Sequence, residues 1–297
     1  MNIISLVEEF RVNTRRTNSL LRLSAVTELI NLILKPTISI AALPTPDDDM
    51  SIFFDHTDVN ARIVGGTEAA VGSHPHMVAM SSGILIRSFL CGGSLISQRT
   101  VLTAAHCIEA VFSFGSLSRL VQKYSSNSAH YTIARNVTHP NYVEATIKND
   151  IGLLITSSNV VLSNLVRTIS LTYDYINAGV SARVAGWGRI RQNGALSATL
   201  LELNLETIGE QLCVDRVRQA AIDFNRRLPP VEPHIEICTF HSPGFGTCNG
   251  DSGSALARRS DGRQFGIVSW GLPCAHGVPD MFVRVSAYQN FIAANTV

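Results

Sequence analysis

From Ile63 onward the chain is a series of short apolar runs cut by Gly, Ser, Asn and Pro. TVLT (100–103), DIGLLIT (150–156), ARVAGWG (182–188), FGIVSWG (265–271) and DMFVRVS (280–286) are examples. Brief runs with β-branched residues, bounded by turn formers, are strand signals, and many of them in succession predict an antiparallel sandwich or barrel. Helical periodicity is scarce. Tyr288, Phe291 and Ile292 share one face after Ser286, which predicts a C-terminal helix, and a second helix is expected over Asp215–Phe224. The fold class read from this pattern is all-β with a C-terminal helix, and no internal repeat is visible.

Upstream of Ile63 the texture differs. Arg11, Arg15, Arg16 and Arg22 precede an apolar stretch, 23–43, that Glu28, Lys35 and Pro36 interrupt. Residues 1–43 are thus a candidate signal or targeting segment that matches the usual pattern poorly, with Ile40-Ala41-Ala42 bordering a candidate cleavage point. An amphipathic helix or a mis-assigned start fits equally. Residues 44–62, PTPDDDMSIFFDHTDVNAR, read as a linker, and Asp47–Asp49 as a solvated charge run, not a metal site. No uncharged apolar run is long enough to span a membrane.

Composition narrows the function classes. With 45% hydrophobic and 16% charged residues and a net charge of +1 over 297 residues, the chain is globular. It lacks the basic excess of a nucleic-acid partner. Six cysteines, Cys91, Cys107, Cys213, Cys238, Cys248 and Cys274, suit three disulfides in an oxidising compartment. Six buried thiols are the plainer alternative, and counting leaves both open. The absence of any C-x-x-C pair speaks against structural zinc.

The candidate chemistry centres on GTCNGDSGSAL (246–256). Ser252 stands among residues with little side chain, which suits a nucleophile or merely a turn. A nucleophilic Ser needs a base, and the base needs an orienting carboxylate. TAAHC places His106 at the end of a strand, and KNDIGLLI places Asp150 just before an apolar run. Each taken singly is a common core, turn or strand-start residue. Three such residues, each inside its own short motif, point jointly to a Ser–His–Asp constellation.

Taken together, IVGG (63–66), CGGSLIS (91–97), LTAAHC (102–107), NDIGLL (149–154), GWG (186–188), CNGDSG (248–253) and SWG (269–271) resemble the chymotrypsin and trypsin family of serine endopeptidases. The resemblance spans residues 63–297, the expected protease domain. It implies two packed six-stranded antiparallel β-barrels with the active site between them. It implies Ser252 as nucleophile, His106 as general base and acid, and Asp150 as the group orienting the imidazole. The N–H groups of Gly250 and Ser252 become the oxyanion hole. Arg62-Ile63 becomes a zymogen cleavage site, so that 44–62 is an activation propeptide and the new Ile63 amine pairs with Asp251. The disulfides it implies are Cys91–Cys107, Cys213–Cys238 and Cys248–Cys274.

The same resemblance assigns a substrate pocket to Gly246, Thr247, Ser269, Gly271 and Asp280. Gly246 at the base with Asp280 on the wall is closest to arthropod brachyurin-type enzymes. It predicts a roomy deep end without charge, an Asp280 carboxylate that stays hydrated or weakly accepts a cation, and a broad P1 preference, apolar first and basic second. Ser269 and Gly271 are expected to pair with substrate backbone. The chain departs from the family at Ser254 and Ala255, where Gly and Pro are usual. If that Gly needed a positive φ, Ser254 would be strained. The Cys213–Cys238 segment is also long, with RRLPPVEP (226–233) inside, and is expected to rim the cleft and alter extended subsites. No cofactor or metal is expected: acidic residues are sparse between Cys107 and Tyr142, and His74 and His76 flank Pro75 in poor metal spacing. Expected partners are protein or peptide substrates, an activating trypsin-like protease and protein inhibitors, with no nucleic acid and no membrane, for a secreted extracellular monomer. The alternative is a non-catalytic protease homologue acting as a binding module. Such homologues usually lose the nucleophile or the His, and this chain keeps both.

Overall fold

The computed structural model describes residues 63–82, 88–113, 119–121 and 129–297. The segments 1–43 and 44–62, Arg62 included, lie outside the described residues. The chain divides into two units, Met1–Asp49 and Met50–Val297.

After the buried Ile63-Val64 start, a two-residue strand, β1 (Thr67–Glu68), leads into the first barrel. Strands β2 (Met77–Ser82), β3 (Ser88–Leu95), β4 (Thr100–Thr103), β5 (Arg119–Val121), β6 (His130–Thr138) and β7 (Gly152–Thr156) close a ring in the order β2-β3-β4-β7-β6-β5. Helix α1 (Ala105–Ser113) leaves the end of β4. The β4–β7 register runs from Thr100 opposite Ile155 to Thr103 opposite Gly152. In an antiparallel pair that register sets the residues just before β7 beside those just after β4. Asp150 and His106 come together for this reason.

The second sheet comprises β8 (Ser181–Gly186), β9 (Leu201–Thr207), β10 (Glu236–Phe240), β11 (Ala255–Arg258), β12 (Gln264–Trp270) and β13 (Asp280–Arg284), with β1 at its edge. Its order is β1-β9-β10-β13-β12-β11-β8, and β8 also pairs with β9 over six residues. Helix α2 (Glu210–Asp223) lies between β9 and β10, and α3 (Gln289–Asn295) follows a 3₁₀ turn over Val285–Tyr288. The all-β reading with a C-terminal helix therefore holds.

Two local expectations need correction. Helix α2 begins at Glu210 rather than Asp215, because Cys213, Val217 and Ala220 form one buried stripe that extends a turn further back. His106 sits in the first turn of a helix and not at a strand end, since β4 stops at Thr103.

Burial follows the strand pattern. In β9 the even alternation of LELNLET puts Leu201, Leu203, Leu205 and Thr207 inside. β7, β12 and β13 are buried along their whole length, their polar residues Ser269, Asp280 and Arg284 included. The largest core cluster takes Val101, Leu102, Leu153 and Leu154 from the first barrel together with Ile267, Val283, Tyr288 and Ile292 from the second sheet and the C-terminal turn. A second cluster packs Ile63 with Leu256, Phe265 and Phe282. Each such fully buried side chain contributes about 1.5–3 kcal/mol, so the barrels hold rigid the loops that carry the polar groups.

Candidate active site

Asp150 is held at the entry to α1. Its Oδ1 accepts the backbone N–H of His106 at 2.9 Å, and its Oδ2 lies 2.8 Å from His106 Nδ1. One carboxylate thus satisfies an orphan N–H in the first helical turn and fixes the imidazole ring. A third bond comes from Ser269 Oγ, which donates to Oδ2 at 2.6 Å. Asp150 is 1% exposed, so without these donors its charge would be costly. Burial opposes the ionisation of both groups. The attraction between them outweighs it, raising the His106 pKa above 6.5 and lowering that of Asp150 below 3.8. Nδ1 is engaged by Asp150, and Nε2, the other ring nitrogen, lies 3.6 Å from the Cys107 sulfur of the Cys91–Cys107 disulfide.

The Ser252 segment approaches from the second sheet, between the turn at Gly250 and β11. Its carbonyl accepts the N–H of Gly92 at 2.8 Å, which anchors the segment against β3. Gly250 has φ +97° and Gly253 φ +80°, left-handed conformations that favour glycine. A side chain at 253 would also collide with Thr103 Oγ1 and the Gly92 carbonyl. The N–H groups of Asp251, Gly253 and Ser254 are used internally, bonding to Cys248, Val268 and Asp251 carbonyls. Among the described residues, the N–H groups of Gly250 and Ser252 have no hydrogen-bond partner. Ser254 does not occupy the left-handed region, so the strain expected there is absent. Its hydroxyl instead packs against Gly92.

Asp251 is 0% exposed and accepts the N–H groups of Gly188 at 2.8 Å and Cys248 at 3.0 Å. Gly186 and Gly188 leave the room it occupies, since a Cβ at either would overlap its carboxylate. Burial outweighs the two backbone bonds and pushes its pKa up to about 7. Ile63 is fully buried, and Val64 bridges to Gly246, whose N–H donates to the Val64 carbonyl at 3.1 Å.

A small pocket opens beside Ser252. Thr247, Ser269, Trp270, Gly271 and Asp280 line it. The expected uncharged deep end and hydrated carboxylate are corrected here. Asp280 is 6% exposed and lies against Gly246, where any Cβ would come within 2.8 Å of its Oδ2. Thr247 donates its N–H to Oδ2 at 2.9 Å and its hydroxyl to Oδ1 at 3.0 Å. Burial raises the Asp280 pKa to about 7 despite these bonds. The space opened by the missing side chain at 246 draws the carboxylate inward, which the sequence order of the two residues does not reveal.

The disulfides are Cys91–Cys107, Cys213–Cys238 and Cys248–Cys274. The first ties β3 to the helix bearing His106, and the third ties the Ser252 segment to the pocket rim. Cys91, His106 and Cys107 are close enough to suggest a metal group, but both cysteines are consumed in that disulfide. The bond from Ser269 to Asp150 was missed by sequence reading, which gave Ser269 only a substrate-pairing role. Its one signal is the Ser of SWG at the end of an apolar strand.

The profile of the family described as Trypsin matches residues 63–292. Chymotrypsin-2 of Vespa crabro is 35% identical over 240 residues, covering 78% of this chain and 99% of that protein. Trypsin of Sus scrofa is 32% identical over 239 residues, covering 80% and 96%, and trypsin alpha-4 of Lucilia cuprina is 30% identical over 239 residues, covering 80% and 88%.

Proposed function

The chain belongs to the trypsin family of serine proteases, and on that premise we propose that it is an endopeptidase acting through an acyl-enzyme, with Ser252 as nucleophile. The observation that carries this reading is the Asp150 carboxylate, which engages both the backbone and Nδ1 of His106 and so leaves Nε2 as the base. Ser252 Oγ attacks the scissile carbonyl, giving its proton to His106 Nε2. The imidazolium is stabilised by Asp150 and then protonates the leaving amine. The unpartnered N–H groups of Gly250 and Ser252 receive the oxyanion; one such donor contributes about 3–4 kcal/mol to lowering the barrier. Water then repeats the sequence on the ester. A fluorophosphonate probe should label the activated protein at Ser252 and should fail on Ser252→Ala. Absence of labelling in the cleaved wild type would refute the reading.

The protein is made as a zymogen in this account, with 63–297 as the protease domain and 44–62 as the propeptide. Cleavage after Arg62 gives Ile63 an ammonium group, and Asp251, a buried carboxylate held by two backbone N–H groups, is its counter-charge. Secretion is supported by the three disulfides. For P1 we propose large apolar side chains first and basic ones second. A carboxylate whose pKa sits near 7 is tolerated neutral beside an apolar group, and when ionised it attracts a cation.

A further inference from the structure

Outside the groups that the chemistry uses, Lys148 and Glu236 form a buried ion pair beside the cleft. Their side chains are 5% and 6% exposed, and Lys148 Nζ lies 2.6 Å from Glu236 Oε1. The same oxygen accepts the indole N–H of Trp270 at 2.7 Å, and Oε2 accepts the backbone N–H of Glu232 at 2.6 Å. Lys148 Nζ also sits 4.7 Å from the centre of the Trp270 ring. Three parts of the molecule meet in this cluster. Lys148 comes from the turn two residues before Asp150. Trp270 follows Ser269 in β12 and lines the pocket. Glu236 opens β10, and Glu232 belongs to the long segment inside Cys213–Cys238.

The turn bearing Lys148 is under local strain. Ile147 has φ +51° and Asn149 φ +54°, and a β-branched residue rarely adopts that conformation. Val143 and Lys148 close the turn with reciprocal backbone bonds at 3.0 and 3.2 Å. Ile147 itself packs with Trp270, Met281 and the Cys213–Cys238 disulfide, against which Leu228 and Val231 of the long segment also rest. Such a backbone persists only where its surroundings over-determine it. A buried ion pair is a poor device for stability alone, since apolar residues of similar volume do as well. Its retention beside the site therefore asks for another role.

We propose that Lys148 and Glu236 are positioning residues that clamp the Trp270 indole, and through it the wall of the substrate cleft and the β12 segment from which Ser269 reaches Asp150. The inference rests on the proteolytic reading above and names the parts that set its extended substrate contacts. Glu236 orients the ring through its N–H, Lys148 covers its face, and Glu232 couples both to the long segment. That segment, expected from the sequence to rim the cleft, is thereby a support of the cleft wall.

The test uses the activated full chain and four variants. Lys148→Met leaves a carboxylate buried without its cation and should lower the melting temperature. Lys148→Met/Glu236→Gln removes both charges but keeps an acceptor for the indole, and should recover both stability and activity. Lys148→Met/Glu236→Met should recover stability while removing the Glu236 acceptor from the indole N–H. Its KM for a tetrapeptide anilide should rise about 5- to 20-fold, with kcat and fluorophosphonate labelling little changed. Glu236→Asp, which keeps the charge and shortens the reach, should show the same KM rise if the double variants fold poorly. Tryptophan emission reports the ring directly, because Trp187 and Trp270 are the only two tryptophans; it should shift in the Met/Met variant and not in the Met/Gln variant. An unchanged KM and emission in both Met/Met and Glu236→Asp enzymes would overturn the proposal. If the wild type neither labels nor cleaves, the proteolytic reading fails instead, and the emission shift alone still decides whether the clamp exists.

Discussion

The two halves of the site bury carboxylates under opposite terms. Asp150, in the first barrel, receives three hydrogen bonds and faces His106, and its pKa is lowered. Asp251 and Asp280, in the second, are held by N–H and hydroxyl donors without a cation among the described residues, and both are pushed up to about 7. A carboxylate answered by a fixed partner is finished when the chain folds. One answered only by neutral dipoles stays responsive to a charge that arrives later. In the proposed function that charge is the Ile63 ammonium for Asp251 and a basic substrate side chain for Asp280.

The largest effect should come from breaking the finished half. Asp150→Asn should lower kcat by about 10⁴-fold, because the imidazole loses both its orientation and its counter-charge. In the parent enzyme kcat/KM should rise with pH through a midpoint above 6.5, since His106 must be neutral to act as base and its pKa is raised. In the Asn variant that midpoint should move down. An acid limb centred below 6.5 in the parent would contradict the pairing.

Next is the carboxylate that waits for an amine. In cleaved enzyme, Asp251→Asn should cost about 10²–10³ in kcat/KM, comparable to losing one oxyanion donor. In the uncleaved chain the sign reverses. Asp251 has a folded pKa raised from 3.8 to about 7, so its contribution to stability is full below 3.8 and is lost as pH rises through about 7. The precursor's melting temperature should therefore fall over that window, and less so in Asp251→Asn. Equal pH slopes in the two precursors would show that Asp251 is not the group responsible.

A smaller effect should appear at Asp280. The ratio of kcat/KM for Arg over Phe at P1 should climb about tenfold as pH crosses the Asp280 pKa near 7 and the carboxylate ionises. Asp280→Asn should flatten the ratio while sparing the Phe substrate. A pH-independent ratio in the parent would separate Asp280 from basic-substrate selection.

The mildest change is Ser269→Ala. It removes one of three bonds to Asp150 and should reduce kcat only a few-fold, about 1 kcal/mol, with melting temperature nearly constant. A loss as large as that of Asp150→Asn would mean that Ser269 does far more than support the carboxylate.

Much of this site was legible in the sequence because its parts are local. GDSG carries the glycines that its turn requires, with Gly250 and Gly253 both at positive φ, and the strand signals around His106 and Asp150 fall where β4 and β7 run. The first turn of α2 is not legible in the sequence because Cys213 is its one contribution to the buried stripe that Val217 and Ala220 continue. Ser254 would be strained only if its position needed a positive φ, which it does not have, and backbone angles are invisible in residue identity.

The sequence by itself determined the order of strands, the residues able to carry the chemistry and the motifs around them. These depend on periodicity of two, on turn formers and on side-chain type, all properties of neighbours in the chain. Only the tertiary structure decided which groups meet. Asp150 joins Ser269 across 119 residues, Lys148 joins Glu236 across 88, and Asp280 turns into the space beside Gly246 from the far end of another strand. Such encounters follow from strand register and barrel closure. The pKa of a buried carboxylate is set by what surrounds it in three dimensions, and that surrounding exists only once both barrels have formed.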